Sequence, residues 1–291
     1  MTDENAGKTF LLGVGCQKGG TTWLFDYLSK SPVARMPPLK ELHVFDSLDL
    51  ETGQRKLTKT MRKGKKMRPE MRKYEPIQLK NAMIRDVDVY FDYFIDRLDE
   101  EGARLTADIT PSYAALSPDR YRFIRDRFEQ AGVNVKVIFL MRDPVERAWS
   151  SVRMRLRNKA QRKPDAKMLE HNAESLLLKV YNNESQAERT NYHSTILNLE
   201  KVFESDDIHY GFYECLFNNE STQAICSFLG IPHIEPNFEQ RLNESPKSGS
   251  ISPEVSIAVA ESYRDVYRFV EDRFGVDFIK GIWPNAALAG G

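Results

Sequence analysis

The chain has 291 residues, of which 41% are hydrophobic, 29% charged and 11% aromatic. This composition excludes a disordered, collagen-like or disulfide-stapled chain, and a chain of this length can bury a sizeable core. The 42 basic residues balance 42 acidic ones, so net charge gives no reason to expect a nucleic-acid partner. We expect one domain over residues 1–291.

The cysteines and the N-terminal residues indicate the cellular compartment in which the protein is expected. The three cysteines form no CxxC pair, which is typical of a reducing environment. Residues 1–8 are polar and lack the apolar core of a signal peptide. No apolar run approaches the ~20 residues of a membrane span. We therefore expect a cytoplasmic protein with no membrane partner.

The first pattern is a strand, a glycine loop and a helix. Residues 9–14 are an apolar run, a loop with three glycines follows, and Leu24, Tyr27 and Leu28 have helical spacing. Such a loop binds anions, because backbone N–H groups and the positive end of the helix dipole point into it. Thr21 stands where a nucleoside-triphosphate P-loop has its lysine, and the lysine of this loop is Lys18. This displacement argues against an ATPase or a kinase.

Three further strands are expected, over residues 104–109, 135–141 and 208–213. The second of these is nearly all apolar, as in a central parallel strand that is covered on both faces. Asp143-Pro144-Val145-Glu146 then reads as the start of a helix, with Asp at the N-cap. Strands that alternate with helices predict a P-loop-type three-layer α/β/α fold with a central parallel sheet.

Two segments carry a resemblance to a known family. The sequence QKGGTTW at residues 17–23 resembles the 5′-phosphosulfate loop of sulfotransferases that use 3′-phosphoadenosine 5′-phosphosulfate (PAPS). Residues 137–150, VIFLMRDPVERAWS, resemble the 3′-phosphate motif of the heparan-sulfate and Golgi type of this family and of its bacterial relatives. The resemblance implies PAPS as co-substrate, 3′,5′-ADP as product and no required metal.

The resemblance also assigns roles in donor binding. The 5′-phosphosulfate would lie against Gln17, Lys18, Gly19, Gly20, Thr21 and Thr22, with Lys18 also assisting the leaving group. The 3′-phosphate would be bound by Arg142 and Ser150, with support from Lys247, Ser248 and Gly249 just before a helix expected around residues 254–275. Trp23 would stack on the adenine, and its alternative role is that of a core tryptophan.

The catalytic base is the next implied role. Residues 37–46, PPLKELHVFD, resemble the family segment in which a glutamate is the base, which makes Glu41 the candidate. His43 is the competitor and His193 a distant third. The residues alone would make Glu41 a surface carboxylate paired with Lys40, and His43 a packed histidine.

The acceptor is described only coarsely by the sequence. Thr110-Pro111-Ser112-Tyr113 resembles an element near the acceptor site, but Ile109 replaces a lysine that many glycosaminoglycan enzymes carry, which puts heparan-like specificity in doubt. Residues 48–100 are expected to be an acceptor-side insertion. Basic stretches at 55–73 and 153–167 either bind an anionic substrate or are solvated faces.

The expected function is therefore transfer of a sulfuryl group from PAPS to a hydroxyl or amine, by in-line displacement with a glutamate base. The acceptor would be a carbohydrate or a small metabolite, and an anionic acceptor is one option. The alternatives are a nucleotide-dependent kinase and a non-catalytic polyanion-binding protein on the same fold. The oligomeric state is left open.

Overall fold

A computed structural model describes residues 7–65, 68–69, 71, 74–162, 173–238 and 251–290. The predicted 3′-phosphate contacts Lys247, Ser248 and Gly249 lie outside the described residues, as do parts of both basic stretches.

The centre of the protein is a four-stranded, all-parallel sheet with the strand order β2-β1-β3-β4. The strands are β1 (Thr9–Gly15), β2 (Leu105–Ile109), β3 (Asn134–Met141) and β4 (Ile208–Phe212). All four predicted strands are confirmed. The two inner strands, β1 and β3, are the most apolar, because helices cover both of their faces.

Helices surround the sheet. Between β1 and β2 they are α1 (Thr21–Leu28), α2 (Phe45–Asp49), α3 (Glu51–Lys65), α4 (Tyr74–Arg85) and α5 (Val87–Asp99). A 3₁₀ turn (Pro111–Ala115) and α6 (Pro118–Gln130) lie between β2 and β3. The helices after β3 are α7 (Pro144–Arg162), α8 (Ala173–Val180), α9 (Glu184–Ala187) and α10 (Tyr192–Glu200). Those after β4 are α11 (Asn219–Phe228), α12 (Pro253–Ser262), α13 (Arg264–Phe274) and α14 (Val276–Ile282).

Alternation along β1 produces the three layers. Phe10 is fully buried on one face, where its ring stacks on Phe128 of α6 with centroids 3.9 Å apart. Leu11 points to the opposite face and joins a second cluster with Leu24 of α1 and Ile225 of α11. Successive side chains of a strand point to opposite faces, so the sheet separates two apolar cores. The three-layer prediction is confirmed.

The start of α7 follows the sequence prediction. The Oδ1 atom of Asp143 accepts hydrogen bonds from the backbone N–H of Val145 at 2.9 Å and of Glu146 at 3.3 Å. Asp143 also accepts from the Tyr267 hydroxyl and from Asn285. This cap fixes where β3 ends and α7 begins, and therefore where Arg142 emerges from the sheet.

One predicted helix is divided into two in the structure. The helix expected around residues 254–275 is two helices, α12 and α13, because the backbone of Tyr263 leaves helical geometry (φ −106°, ψ 17°). The break redirects the chain so that α13 packs against α10.

In the described part of the chain, no helix combines the length and the apolar character needed to span a bilayer.

Candidate active site

The loop between β1 and α1 is shaped by glycines. A Cβ atom on Gly19 would lie 2.8 Å from the carbonyl oxygen of Leu140 and 2.8 Å from the sulfur of Cys16, so no larger residue fits there. Gly20 is the N-cap of α1 with φ 92°, a conformation that glycine adopts without strain. Because Gly20 has no side chain to cap α1, the first N–H groups of the helix are available to a ligand.

Arg142 reaches this loop from the carboxyl end of β3. Its Nη1 donates a hydrogen bond to the carbonyl oxygen of Lys18 at 3.1 Å, and its Nη2 donates to Oε2 of Glu146 at 3.3 Å. The guanidinium lies 4.2 Å from the centroid of the Tyr213 ring. Its Nε is buried and has no hydrogen-bond partner among the described residues. Arg142 therefore pairs with a neighbouring carboxylate and also contacts the glycine loop.

Lys18 lies in a cluster of cations. Burial and the charges of Arg157, Arg142 and Arg153 together lower the pKa of Lys18 to about 8. The Nε of Arg153, like that of Arg142, is buried without a partner among the described residues. Like charges at close range are costly unless an anion enters, so the cluster fits a phosphate-bearing ligand.

Helical spacing brings Arg153 and Arg157 to this cluster. Ser150, Arg153 and Arg157 follow one another at three and four residues along α7, so they share one face of that helix. Met154 on the adjacent turn touches Lys18, with its sulfur 3.9 Å from Nζ. Sequence reasoning placed these arginines in a basic stretch and missed their part in the site, although their spacing from Ser150 was a usable signal.

Glu41 lies in the segment before α2 and faces two cationic partners. Its Oε1 accepts a hydrogen bond from Nζ of Lys40 at 2.7 Å, and its Oε2 is 3.5 Å from Nε2 of His43. Burial acts to raise the pKa of Glu41, but the hydrogen bonds from His43 and Lys40 outweigh it and hold the pKa well below its usual value. The side chain is still 41% exposed, so a ligand can reach it.

His43 is placed between two carboxylates. Its Nδ1 is 2.8 Å from Oδ2 of Asp46, which is almost completely buried. Burial acts to lower the pKa of His43, but the contacts with Asp46 and Glu41 raise it overall. Both ring nitrogens of His43 face carboxylate oxygens, so neither nitrogen is free to take a proton from another group. This geometry favours Glu41 over His43 as a proton acceptor.

A buried chain of hydrogen bonds supports the base segment. Tyr113 donates its hydroxyl proton to Oδ2 of Asp108 at 2.8 Å, and the hydroxyl oxygen of Tyr113 accepts a hydrogen bond from the N–H of Val44 at 3.1 Å. The Asp108 carboxylate also accepts hydrogen bonds from Tyr90 and Thr110. Val44 follows His43 directly, so this chain links the position of the base segment to β2.

The three residues predicted to be catalytic share an uncommon backbone conformation. Lys18, Glu41 and His43 have φ values of 75°, 64° and 54°, and they are the non-glycine residues with positive φ in the described part of the chain. This conformation is unfavourable for residues that carry a Cβ. Residues held in this way concentrate at functional sites.

The structure also places the remaining candidates. Thr21, the first residue of α1, is buried, Thr22 follows it, and the buried Oε1 of Gln17 has no partner within the described ranges. Ser150 is 6% exposed on α7. His193 is the second residue of α10, where its ring contacts Asn191 and Phe269.

Trp23 is stacked on two neighbouring aromatic rings. Its ring stacks on Tyr27 with centroids 5.1 Å apart and on Phe238 with centroids 6.0 Å apart. Trp23 is 7% exposed and belongs to the second apolar cluster. As the chain stands it is a core residue, and stacking on an adenine would require Phe238 to move aside. Phe238 is the last described residue before the segment that contains Lys247.

A metal site is not evident from the side chains. Across the described residues, no group of three or more His, Cys, Asp or Glu side chains is arranged to bind a metal ion.

The fold and this loop define a class of protein: a parallel α/β protein of the P-loop type, with a glycine loop and a cluster of basic side chains at the carboxyl edge of its sheet. Residues 8–266 match the model of the sulfotransferase domain. The chain therefore belongs to the sulfotransferase domain family. No curated protein gave a sequence match.

Solved structures agree with this assignment of the fold. A sulfotransferase from Alicyclobacillus acidocaldarius is 19% identical with a TM-score of 0.56, over 92% of this chain and 95% of that one. The sulfotransferase domain of the Synechococcus PCC 7002 olefin synthase is 20% identical with a TM-score of 0.43, over 90% of this chain and 97% of that one. At these identities the solved structures support only the fold of this chain. That support comes from the first structure, whose TM-score is 0.56.

Proposed function

We propose that this sulfotransferase-family protein transfers a sulfuryl group from PAPS to a hydroxyl or amine of a carbohydrate or small-metabolite acceptor. The observation that carries the proposal is the convergence of three separate segments on Lys18. Arg142, which follows β3, bonds to the carbonyl oxygen of Lys18. Arg153 and Arg157 of α7, and Glu41, are close enough to the Lys18 ammonium group to act on it electrostatically.

The available hydrogen-bond donors fit the doubly phosphorylated donor. The Nε atoms of Arg142 and Arg153 are buried donors without an acceptor in the described part of the chain, and the first turn of α1 adds backbone N–H groups. Lys18 and the loop would hold the 5′-phosphosulfate, and Arg142 with Ser150 would hold the 3′-phosphate. Glu146, which now pairs with Arg142, would give way to that phosphate, since phosphate pairs bidentately with arginine.

PAPS, when bound, supplies an activated sulfuryl group whose leaving group is 3′,5′-ADP. The acceptor oxygen or nitrogen forms a bond to sulfur, the bond from sulfur to the phosphate oxygen breaks, and the acceptor proton goes to Glu41. Lys18 stabilises the charge that develops on the departing phosphate. Glu41 is ionised and partly exposed, whereas His43 is engaged by two carboxylates, so we assign the base to Glu41 and an orienting part to His43.

Ligand-dependent unfolding temperatures test the proposed function. A ligand that binds only the native state raises the temperature of unfolding. We expect 3′,5′-ADP to raise it and ATP with Mg²⁺ to have a smaller effect. A larger effect of ATP with Mg²⁺ would instead favour a nucleotide kinase. Salt-sensitive stabilisation by heparin without any effect of 3′,5′-ADP would favour a polyanion-binding protein.

A further inference from the structure

A small pocket lies beside the proposed base and is not used by the donor. Its lining combines two hydroxyls, two apolar side chains and two charges, from Thr52, Ser112, Pro111, Ala115, Glu188 and Arg189. Thr52 belongs to α3, within the segment predicted to be an acceptor-side insertion, and Ser112 belongs to the 3₁₀ turn after β2. The pocket is therefore built by the parts of the chain expected to contact the acceptor.

Arg189 is a cation without a partner. Its side chain is partly buried in the turn after α9, and it has no hydrogen bond or ion pair with any residue that the structure describes. Burial and the charge of the fully buried Arg147 lower the pKa of Arg189, but a guanidinium stays protonated in proteins. The charges of Glu188, Glu41 and Asp46 act in the opposite direction, but none of these carboxylates forms a hydrogen bond or ion pair with Arg189 among the described residues. An anion that enters the pocket could therefore bond directly to the guanidinium.

Glu188, the other charged residue of the pocket, interacts with neighbouring side chains. Glu188 accepts a hydrogen bond from the Thr52 hydroxyl at 3.0 Å and lies near the guanidinium of Arg55. Glu188 therefore has partners of its own, whereas the Arg189 guanidinium remains available to a ligand.

The pocket and the proposed base are neighbours. Glu41 and Asp46 both lie close enough to the Arg189 guanidinium to act on it electrostatically. A ligand group bound at Arg189 would therefore sit close to Glu41, and another part of the same ligand could present its hydroxyl or amine to that carboxylate.

We propose that Arg189 is a specificity-determining residue that binds an oxyanion, such as a carboxylate, on the acceptor of the reaction. This inference rests on the proposed function and narrows it to acceptors that carry a negative charge near the group to be modified. Pro111 and Ala115 would contact the apolar part of such an acceptor, and the Ser112 hydroxyl would offer a hydrogen bond.

Unfolding temperatures with matched sugars test this inference. The protein is saturated with 3′,5′-ADP, so that the donor site is filled, and is then titrated with D-glucuronate, with D-glucose and with sodium chloride of equal ionic strength. In the unchanged protein we expect glucuronate to raise the unfolding temperature by about 2 °C above both controls. Arg189→Met and Arg189→Gln should both remove this rise, whereas Arg155→Ala, an exposed position on α7, should keep it.

Two outcomes would overturn the inference. One is a glucuronate effect no larger than that of glucose in the unchanged protein, and the other is an undiminished effect in both Arg189 variants. Without ligands, Arg189→Met should unfold at the temperature of the unchanged protein or above it, and a clear decrease would contradict the claim that the guanidinium is unpaired. The proposed binding of the donor is tested independently of Arg189. It fails if 3′,5′-ADP alone does not raise the unfolding temperature of the unchanged protein and of the variants.

Discussion

The Nε2 atom of His43 lies 3.5 Å from Oε2 of Glu41. This contact joins the two residues that competed for the role of base, and their pKa values are shifted in opposite directions. Burial opposes both shifts, but the contacts lower the pKa of Glu41 and raise that of His43. Glu41 is thus the unprotonated member of the pair near neutral pH, which is the state that a base requires.

Glu41→Gln should therefore lower kcat by about 10²–10⁴-fold, as expected when a general base is removed. The affinity for 3′,5′-ADP should stay unchanged, since the proposed donor contacts are on the Lys18 side of the site. His43→Asn should cause a smaller loss of kcat, because it removes an orienting contact only. Steady-state rates and calorimetric titration measure both quantities. A kcat for Glu41→Gln near that of the unchanged protein would exclude Glu41 as the base.

Lys18 should give the reaction an alkaline limit. Its pKa is lowered to about 8 by burial and by the surrounding arginines, so the ammonium group is charged below that pH and loses its proton above it. We expect kcat/KM for PAPS to fall as the pH rises through about 8. Lys18→Arg should move this decline to higher pH, because arginine stays protonated. A decline that is the same in Lys18→Arg would assign it to another group.

Tyr113 should act as a positioning residue for the base. Tyr113→Phe removes the hydrogen bonds to Asp108 and from Val44, and the resulting unpaired buried groups should lower the free energy of unfolding by about 1–3 kcal/mol. Because Val44 adjoins His43, kcat should fall as well, while KM for PAPS changes little.

Tyr90→Phe is the matched control for this prediction. Tyr90 donates to the same carboxylate oxygen of Asp108 at 3.1 Å. Its ring packs edge-on against Phe45, but its hydroxyl, unlike that of Tyr113, has no hydrogen bond to the base segment among the described residues. Tyr90→Phe should lose stability like Tyr113→Phe and retain kcat. Equal losses of kcat in the two variants would show that stability alone explains the effect of Tyr113→Phe.

Gly19 should be irreplaceable in the donor loop. Gly19→Ala places a Cβ 2.8 Å from the backbone oxygen of Leu140, so the loop has to shift. We expect a loss of stability of about 1–3 kcal/mol together with weaker binding of 3′,5′-ADP. Gly281→Ala on α14 is the control, because its Cβ would meet nothing within 4 Å. Denaturant unfolding and calorimetry measure the two effects, and unaltered nucleotide affinity in Gly19→Ala would contradict this account of the loop.

The sheet and the donor loop could be predicted because their signals are local. An uninterrupted apolar run produced β3, glycines with a displaced lysine indicated the anion loop, and Asp143 with Pro144 marked the start of α7. Each of these patterns depends on residues that are close in sequence. The break between α12 and α13 at Tyr263 escaped prediction because no glycine or proline marks it.

The proposed acceptor pocket could not be predicted because it is assembled from distant segments. Arg189 becomes an unpaired charge only when the turn after α9 meets Ser112 and Thr52, residues far away in the sequence. The link from Asp108 through Tyr113 to Val44 likewise appears only after β2 and the base segment pack together. The packed state of Trp23, with Phe238 on its outer face, also required the tertiary structure.

The central claim is that Lys18 and Arg142 bind the two ends of one nucleotide, and calorimetric titration with 3′,5′-ADP and with 5′-AMP tests it most directly. These ligands differ by the 3′-phosphate alone. The unchanged protein should bind 3′,5′-ADP more tightly, Lys18→Ala should weaken both ligands by a similar factor, and Arg142→Ala should bring the two affinities close together. If Arg142→Ala kept the full preference for 3′,5′-ADP over 5′-AMP, this result would contradict the account.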